Sequence, residues 1–303
     1  MKKNLIIILF LLGLPVFSFA QARLEKQYAD IESLDVQGGS LEVTYTGSAD
    51  QQEIKIVAFL GEEKERENDL VFVTMDKVLK IAFQPNKKFT NYHGPKRYIH
   101  ITGPEAINLT ISNSSGQVEA THITSPSTQL AITSGRLKAS AIKGDLTLRG
   151  SSGTIEAKDI DGSVVCKITS GRSTVENVAG NLDFSSSSGS LQATRVGGKV
   201  DVQLTSGNVS LHTIGELGEI AMSSGNVKAT GVGLGTGTNL KATSGSFTIS
   251  TTSSLSDFNY DLKASSGSLS VGKSSGNKAL AIENGAPATV RGSVSSGRIR
   301  IDN

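Results

Sequence analysis

The chain has no tryptophan, one cysteine and six prolines in 303 residues, and aromatics make up 5% of it. A single cysteine excludes an internal disulfide framework, the usual staple of small exported domains. The shortage of aromatics removes most of the flat apolar platforms that sugar sites commonly use. Charge of one sign is also missing. Thirty Lys and Arg stand against 28 Asp and Glu, with no basic block. That balance argues against a nucleic-acid partner, which needs a concentrated positive patch. No apolar run after the first twenty residues is long enough to span a membrane as a helix.

Those first twenty residues read as a secretory signal peptide. Lys2 and Lys3 precede a short apolar run over 5–14, and Ser18-Phe19-Ala20 places small residues before a cut after Ala20. No cysteine follows the apolar core, so a lipid anchor at the new N-terminus is not expected.

What the chain has in abundance is glycine, 33 residues of it, in a Ser-Gly pair that returns at Gly116, Gly135, Gly153, Gly171, Gly189, Gly207, Gly225, Gly245, Gly267 and Gly297. The steps are 19, then five of 18, then 20, 22 and 30. A fixed period marks a repeat architecture. Counting from each glycine, positions +2, +4 and +7 are mostly apolar, as in Leu137, Ala139 and Ile142, or Val209, Leu211 and Ile214. A second set falls at +11, +13 and +15, as in Val200, Val202 and Leu204. Position +9 is often glycine: Gly144, Gly162, Gly180 and Gly198.

Alternation within each set is the strand period of two. A rung of two short strands cannot bury its apolar stripe alone, but stacked rungs share one core. The pattern predicts an all-β fold, a parallel β-solenoid (a right-handed β-helix) of about ten 18-residue rungs. Antiparallel hairpins are the rival, and they would not require a strict phase. Cys166 sits at +13, where other rungs carry Leu148, Phe184 and Val202, and so belongs to the core. Two rungs depart from pattern, with Ser173 at +2 and Gly218 at +11. Rungs beyond Gly225 lengthen, so loops are expected to bulge there.

Residues 21–110 lack the phase yet carry strand patterns at 31–36, 41–46, 53–59, 70–75 and 78–83. The charged stretch 62–69 and the Pro-containing stretch 84–96 read as loops. This third is expected to cap the solenoid ahead of the repeat region 111–303, because an uncovered rung would offer its backbone to other chains.

A family resemblance rests on the opening Ile31-Glu32-Ser33-Leu34-Asp35-Val36-Gln37-Gly38-Gly39-Ser40-Leu41-Glu42-Val43, the lead-in over 99–104, and the repeated Ser-Gly-x-Val-x-Ala rungs. In these the chain resembles a bacterial adhesin-like β-helix family of unknown function, of the auto-transporter adhesin head type, common among exported proteins of Bacteroidetes. The resemblance covers the whole chain after residue 20. It implies an exported adhesin or envelope protein and carries over no catalytic residue.

The chemistry-bearing residues are sparse. His93, His100, His122 and His212 lie at no metal-ligand spacing. The Ser-Gly serines are too many and too regular for nucleophiles, and read as turn residues. One constellation stands out at the outward position +12, where Asp183, Asp201 and Glu219 follow one another. Stacking would align these carboxylates. Either Lys199 at +10 neutralises them or a cation such as calcium sits between them. They are the weak cation candidate, and a polysaccharide-active enzyme of lyase or hydrolase type is the alternative they support. Of the aromatics, Phe184 and Phe247 fall at core positions. Phe258 and Tyr260, in a lengthened rung, and Tyr92 and Tyr98, near the cap, are candidates for a binding surface.

The sequence thus predicts an exported, non-enzymatic interaction module without a cofactor, whose partner is a carbohydrate or a cell-surface protein. A purely structural periplasmic protein is a third reading. The chain stops directly after a rung, which leaves no room for a sorting domain and favours the periplasm over surface display.

Overall fold

The computed structural model describes residues 23–61, 68–85 and 94–303. The expected signal peptide, Tyr92, His93 and most of the charged stretch 62–69 lie outside the described residues.

The described chain is almost wholly extended. β1 (Leu24–Tyr28), β2 (Ser33–Gly39), β3 (Glu42–Ser48) and β4 (Ile54–Phe59) lead into β5 (Leu70–Met75), β6 (Val78–Phe83), β7 (Tyr98–Pro104) and β8 (Asn108–Asn113). Three long runs then turn repeated corners: β9 (Gln117–Asp161), β10 (Val164–Val178) and β11 (Leu182–Thr251). A 3-10 turn at Leu255–Asp257 precedes β12 (Asn259–Val271), β13 (Ser274–Gly276), β14 (Ala279–Ile282) and β15 (Thr289–Asp302). All fifteen join one sheet. The strand patterns of the first third are met within a few residues, and that over 78–83 coincides with β6.

In the middle, β10 lies parallel to both β9 and β11 with an offset of 18 residues. Cys166 stands opposite Leu148 and Phe184, and Gly171 opposite Gly153 and Gly189. The parallel stacking that the period predicts is therefore the pairing observed. Its apolar columns are buried from Ile31 to Ile301 in one continuous cluster. Each large aliphatic side chain moved out of water contributes about 1.5–3 kcal/mol.

The glycine column has a second cause besides its turn. A Cβ on Gly171 would stand 2.1 Å from the carbonyl oxygen of Gly153, and one on Gly207 would stand 1.8 Å from that of Gly189. These glycines also hold φ of +135° and +141°, a region that side chains disfavour. The column is thus the place where successive rungs approach too closely for any side chain.

Each of the two departures from pattern answers to a neighbouring side chain. Ser173 is fully buried, and its hydroxyl oxygen accepts from the Cys166 thiol at 3.7 Å. Burial pushes that thiol up to about 11. At Gly218 a Cβ would lie 2.0 Å from Asp201 Oδ1. Its absence lets the Asp201 carboxylate accept from the Glu219 backbone N–H at 2.7 Å, while neighbouring Leu217 turns into the core.

Both ends abandon sequential stacking. Gly297 of β15 stands opposite Gly245 of β11 on one side and Gly267 of β12 on the other. The order in space is Gly245, Gly297, Gly267, which corrects the sequential order expected from the repeat. The reason lies in the long step before Gly297. It carries β13 and β14, which fold back antiparallel onto β12 and leave β15 the inner edge.

The other end has the same arrangement. β2 is held between β6 and β8, with Leu34 opposite Leu79 and Leu109. β3 is held between β7 and β9, with Val43 opposite Ile99 and Val118. Antiparallel strands finish the edges: β5 on β6, β4 on β7, and β1 on β4. Tyr28 of β1 and Phe72 of β5 stack at 6.1 Å and tie the two edges together. Antiparallel pairing is therefore confined to the ends, where it covers edges that would otherwise invite another chain.

Candidate functional site

A corner at position +6 recurs through the stack and shapes a long groove. His122, Ala141, Asp159, Asn177, Arg195 and Thr213 all hold left-handed φ between +52° and +57°, and Gly231 continues the column at +66°. A non-glycine residue in this region costs about 1–2 kcal/mol, so the packing of each rung imposes the bend. The bend turns the chain from one outer face to the next. The residue after it, such as Ile142, Ile160 or Val196, drives into the core.

Stacking these corners produces a groove of about 930 Å³ that runs from Glu105 and His122 to Gly231 and Thr252. Its lining is mostly carbon. Along one rim, side chains link rung to rung. The Asn177 amide donates to Asp159 Oδ1 and the Arg195 guanidinium donates to Asn177 Oδ1. Along the other, Lys143 and Asp161 give way to Ala179, Gly197 and Gly215. The groove is charged at one end and small and uncharged at the other.

The +12 carboxylates come together as expected. Asp183, Asp201 and Glu219 line one shallow depression with Lys199. Lysines reach them: Lys199 Nζ lies 2.8 Å from Asp201 and Lys241 Nζ 2.7 Å from Glu219. The Asp201 carboxylate raises the Lys199 pKa by hydrogen bond and by charge, against a smaller lowering by burial. Among the described residues, no three His, Cys, Asp or Glu side chains gather closely enough to hold a metal ion.

The aromatic candidates fare differently. Phe184 and Phe247 are core residues. Tyr260 is buried, a correction to its place among the surface candidates, and Phe258 packs against the core. The reason is the 3-10 turn before β12, whose Leu255 carbonyl accepts from the Tyr260 hydroxyl at 3.1 Å. Burial, with a smaller contribution from Asp257, pushes that hydroxyl up to about 12. Tyr98 is stacked on His100 at 4.1 Å.

The +6 corner had no signature in the sequence. Histidine, alanine, aspartate, asparagine, arginine and threonine share no chemistry, and of these only the histidine, aspartate and asparagine are residue types enriched in the left-handed region.

Residues 25–302 match the model of Toastrack DUF4097. The chain belongs to the Toastrack DUF4097 family. Its β-solenoid-like fold is the family's. Among solved structures, one from Parabacteroides distasonis described as a "putative adhesin" is 17% identical, with a TM-score of 0.48 over 93% of this chain and 98% of that one. Another so described, from Parabacteroides merdae, is 15% identical, with a TM-score of 0.47 over 93% and 96%. A third, from Parabacteroides distasonis and described as a "putative lipid binding protein", is 14% identical, with a TM-score of 0.46 over 93% and 97%. Likenesses at this level carry no ligand over to the Toastrack chain. Among curated proteins nothing matches it.

Proposed function

We propose that this Toastrack protein is an exported, non-enzymatic interaction module of the cell envelope, of adhesin type. In this reading a right-handed stack of about ten rungs over 111–303, capped by 21–110, displays ligand surfaces. The +12 carboxylates are a solvated, lysine-paired ladder rather than a catalytic or cation centre.

The observation that supports it is the groove along the +6 corner. It continues through seven rungs with a hydrogen-bonded polar rim, and such length suits an extended ligand better than a small substrate. The test is retention of labelled protein on outer-membrane, peptidoglycan and capsule fractions. Retention on at least one fraction is expected. Arg195→Glu combined with Ala179→Trp, both at exposed positions, should reduce it at least fivefold without changing Tm. Equal retention of that variant, or release of cleaved fragments from any fraction, overturns the reading. Protease shaving of intact cells separates periplasmic residence from surface display.

A further inference from the structure

The outer face formed by positions +1 and +3 changes character along the stack. In its first rungs, acids and bases alternate, as Glu119, Arg136, Lys138 and Glu156. Gln117 donates to Glu119 at 3.0 Å, and Arg136 lies 3.9 Å from Glu156. From Gly171 onward, none of the fourteen +1 and +3 positions carries an acid, although the chain holds 28. The charges there are Arg172, Lys228, Arg298 and Arg300. Arg300 is held by Asp302. No carboxylate among the described residues lies within ion-pair distance of Arg172, Lys228 or Arg298.

A trough of about 340 Å³ is set into this face, with Arg172 at one end and Lys228 at the other. Three rungs separate the two cations, roughly 14 Å at the strand spacing of a sheet. Between them, amide and hydroxyl side chains stand on a lining that is mostly carbon. These are Gln192, Asn208, Ser210 and Asn226, and the Asn226 amide donates to Asn208 Oδ1 at 3.3 Å. The aliphatic residues beneath, Leu191 and Val209, are buried. Two unpaired cations flanking a row of uncharged donors and acceptors complement a chain of hydroxyls punctuated by negative charge.

We propose that the trough between Arg172 and Lys228 binds an acidic glycan, a sugar chain bearing carboxylate or sulfate groups. The proposal rests on the non-enzymatic reading above only in that the glycan is held and not cut.

The test is calorimetric titration of the purified protein with oligogalacturonate. Neutral maltooligosaccharide, poly-glutamate and inorganic sulfate serve as comparison ligands. Oligogalacturonate is expected to bind, and to weaken as salt rises, because exposed charges are screened. The double variant Arg172→Ala with Lys228→Ala should weaken binding at least tenfold. Asn208→Ala should weaken it severalfold, and Lys138→Ala in the acid-bearing half should leave it unchanged. Arg172, Lys228 and Asn208 are exposed and Lys138 is partly exposed, so Tm should hold.

Failure of oligogalacturonate to bind overturns the proposal. So does undiminished binding by the double variant, or equal binding of poly-glutamate, sulfate or the neutral sugar. Cleavage of bound oligogalacturonate would overturn the non-enzymatic reading while leaving the trough as the site. Envelope retention without oligogalacturonate binding would do the reverse.

Discussion

The middle of the stack and its two ends obey different rules. Between Gly135 and Gly225 each rung lies on the one before it in sequence, at a constant offset, with glycine on glycine. At the ends a strand remote in sequence is slipped one place inward, and antiparallel strands cover what remains. The difference teaches that one residue column can enforce register where every neighbour is a copy. Closing a stack needs strands that do not repeat.

Removal of residues 286–303 is expected to have the largest effect. Because contacts in a stack run between neighbours, the loss should unfold β12–β14 and leave the middle folded. Limited proteolysis should cut within 259–285 while 117–251 stays protected. Uniform loss of protection would erase the contrast between end and middle.

Next comes Gly207→Val, whose side chain meets the Gly189 carbonyl at close to 1.8 Å and φ of +141°. It should cost about 4 kcal/mol in urea denaturation. Gly285→Ala at the end of the stack meets nothing within 4 Å and has only its φ of +71° to overcome, so about 1 kcal/mol is expected. Equal costs would show that the column owes its glycines to the turn and not to the stacking.

The Cys166–Ser173 pair gives a pH-dependent probe of the middle. The folded thiol is held above its ordinary value near 9, at about 11. The neutral form is the native one, so its contribution is complete below pH 9 and fades as pH rises toward 11. The loss amounts to about 3 kcal/mol. Alkylation of Cys166 should be negligible in native protein at pH 8 and complete in urea. Rapid native labelling would place the thiol outside the core.

Tyr45→Phe probes the other end. The Tyr45 hydroxyl, buried, donates to the Pro104 carbonyl at 2.6 Å, and its loss should cost about 1 kcal/mol by thermal denaturation. The smallest effect is expected from Lys241→Ala. Its ion pair with Glu219 is half exposed, and its loss should shift stability by less than about 1 kcal/mol.

The same division decides what the sequence could reveal. Register, core and glycine columns were legible because each is a periodic demand on side-chain type. Cys166 could be placed among leucines for that reason, and the alignment of Asp183, Asp201 and Glu219 followed from counting. The inward slip of β15 was not legible, since Gly297 fits equally well beside Gly245 or Gly267. The choice is made by β13 and β14, whose short antiparallel returns have no phase. The +6 corner escaped for the opposite reason: it is periodic in backbone angle but not in residue. The trough between Arg172 and Lys228 depended on which long side chains flank short ones, a contrast that appears only when rungs are laid side by side.

The slipped strands also bear on the order in which the molecule forms. β12 borders β15 on its inner side, so residues 259–271 cannot settle into place until residues 289–302 have emerged. At the other end β2 and β3 wait in turn for β8 and β9, which border them on the inner side. The central rungs can zip up one after another as the chain appears, whereas each terminus is a clasp that shuts only on a later arrival. Closure therefore rests on contacts distant in sequence, which are slow to find. The last kinetic step of folding should be the seating of the ends and not the growth of the rod.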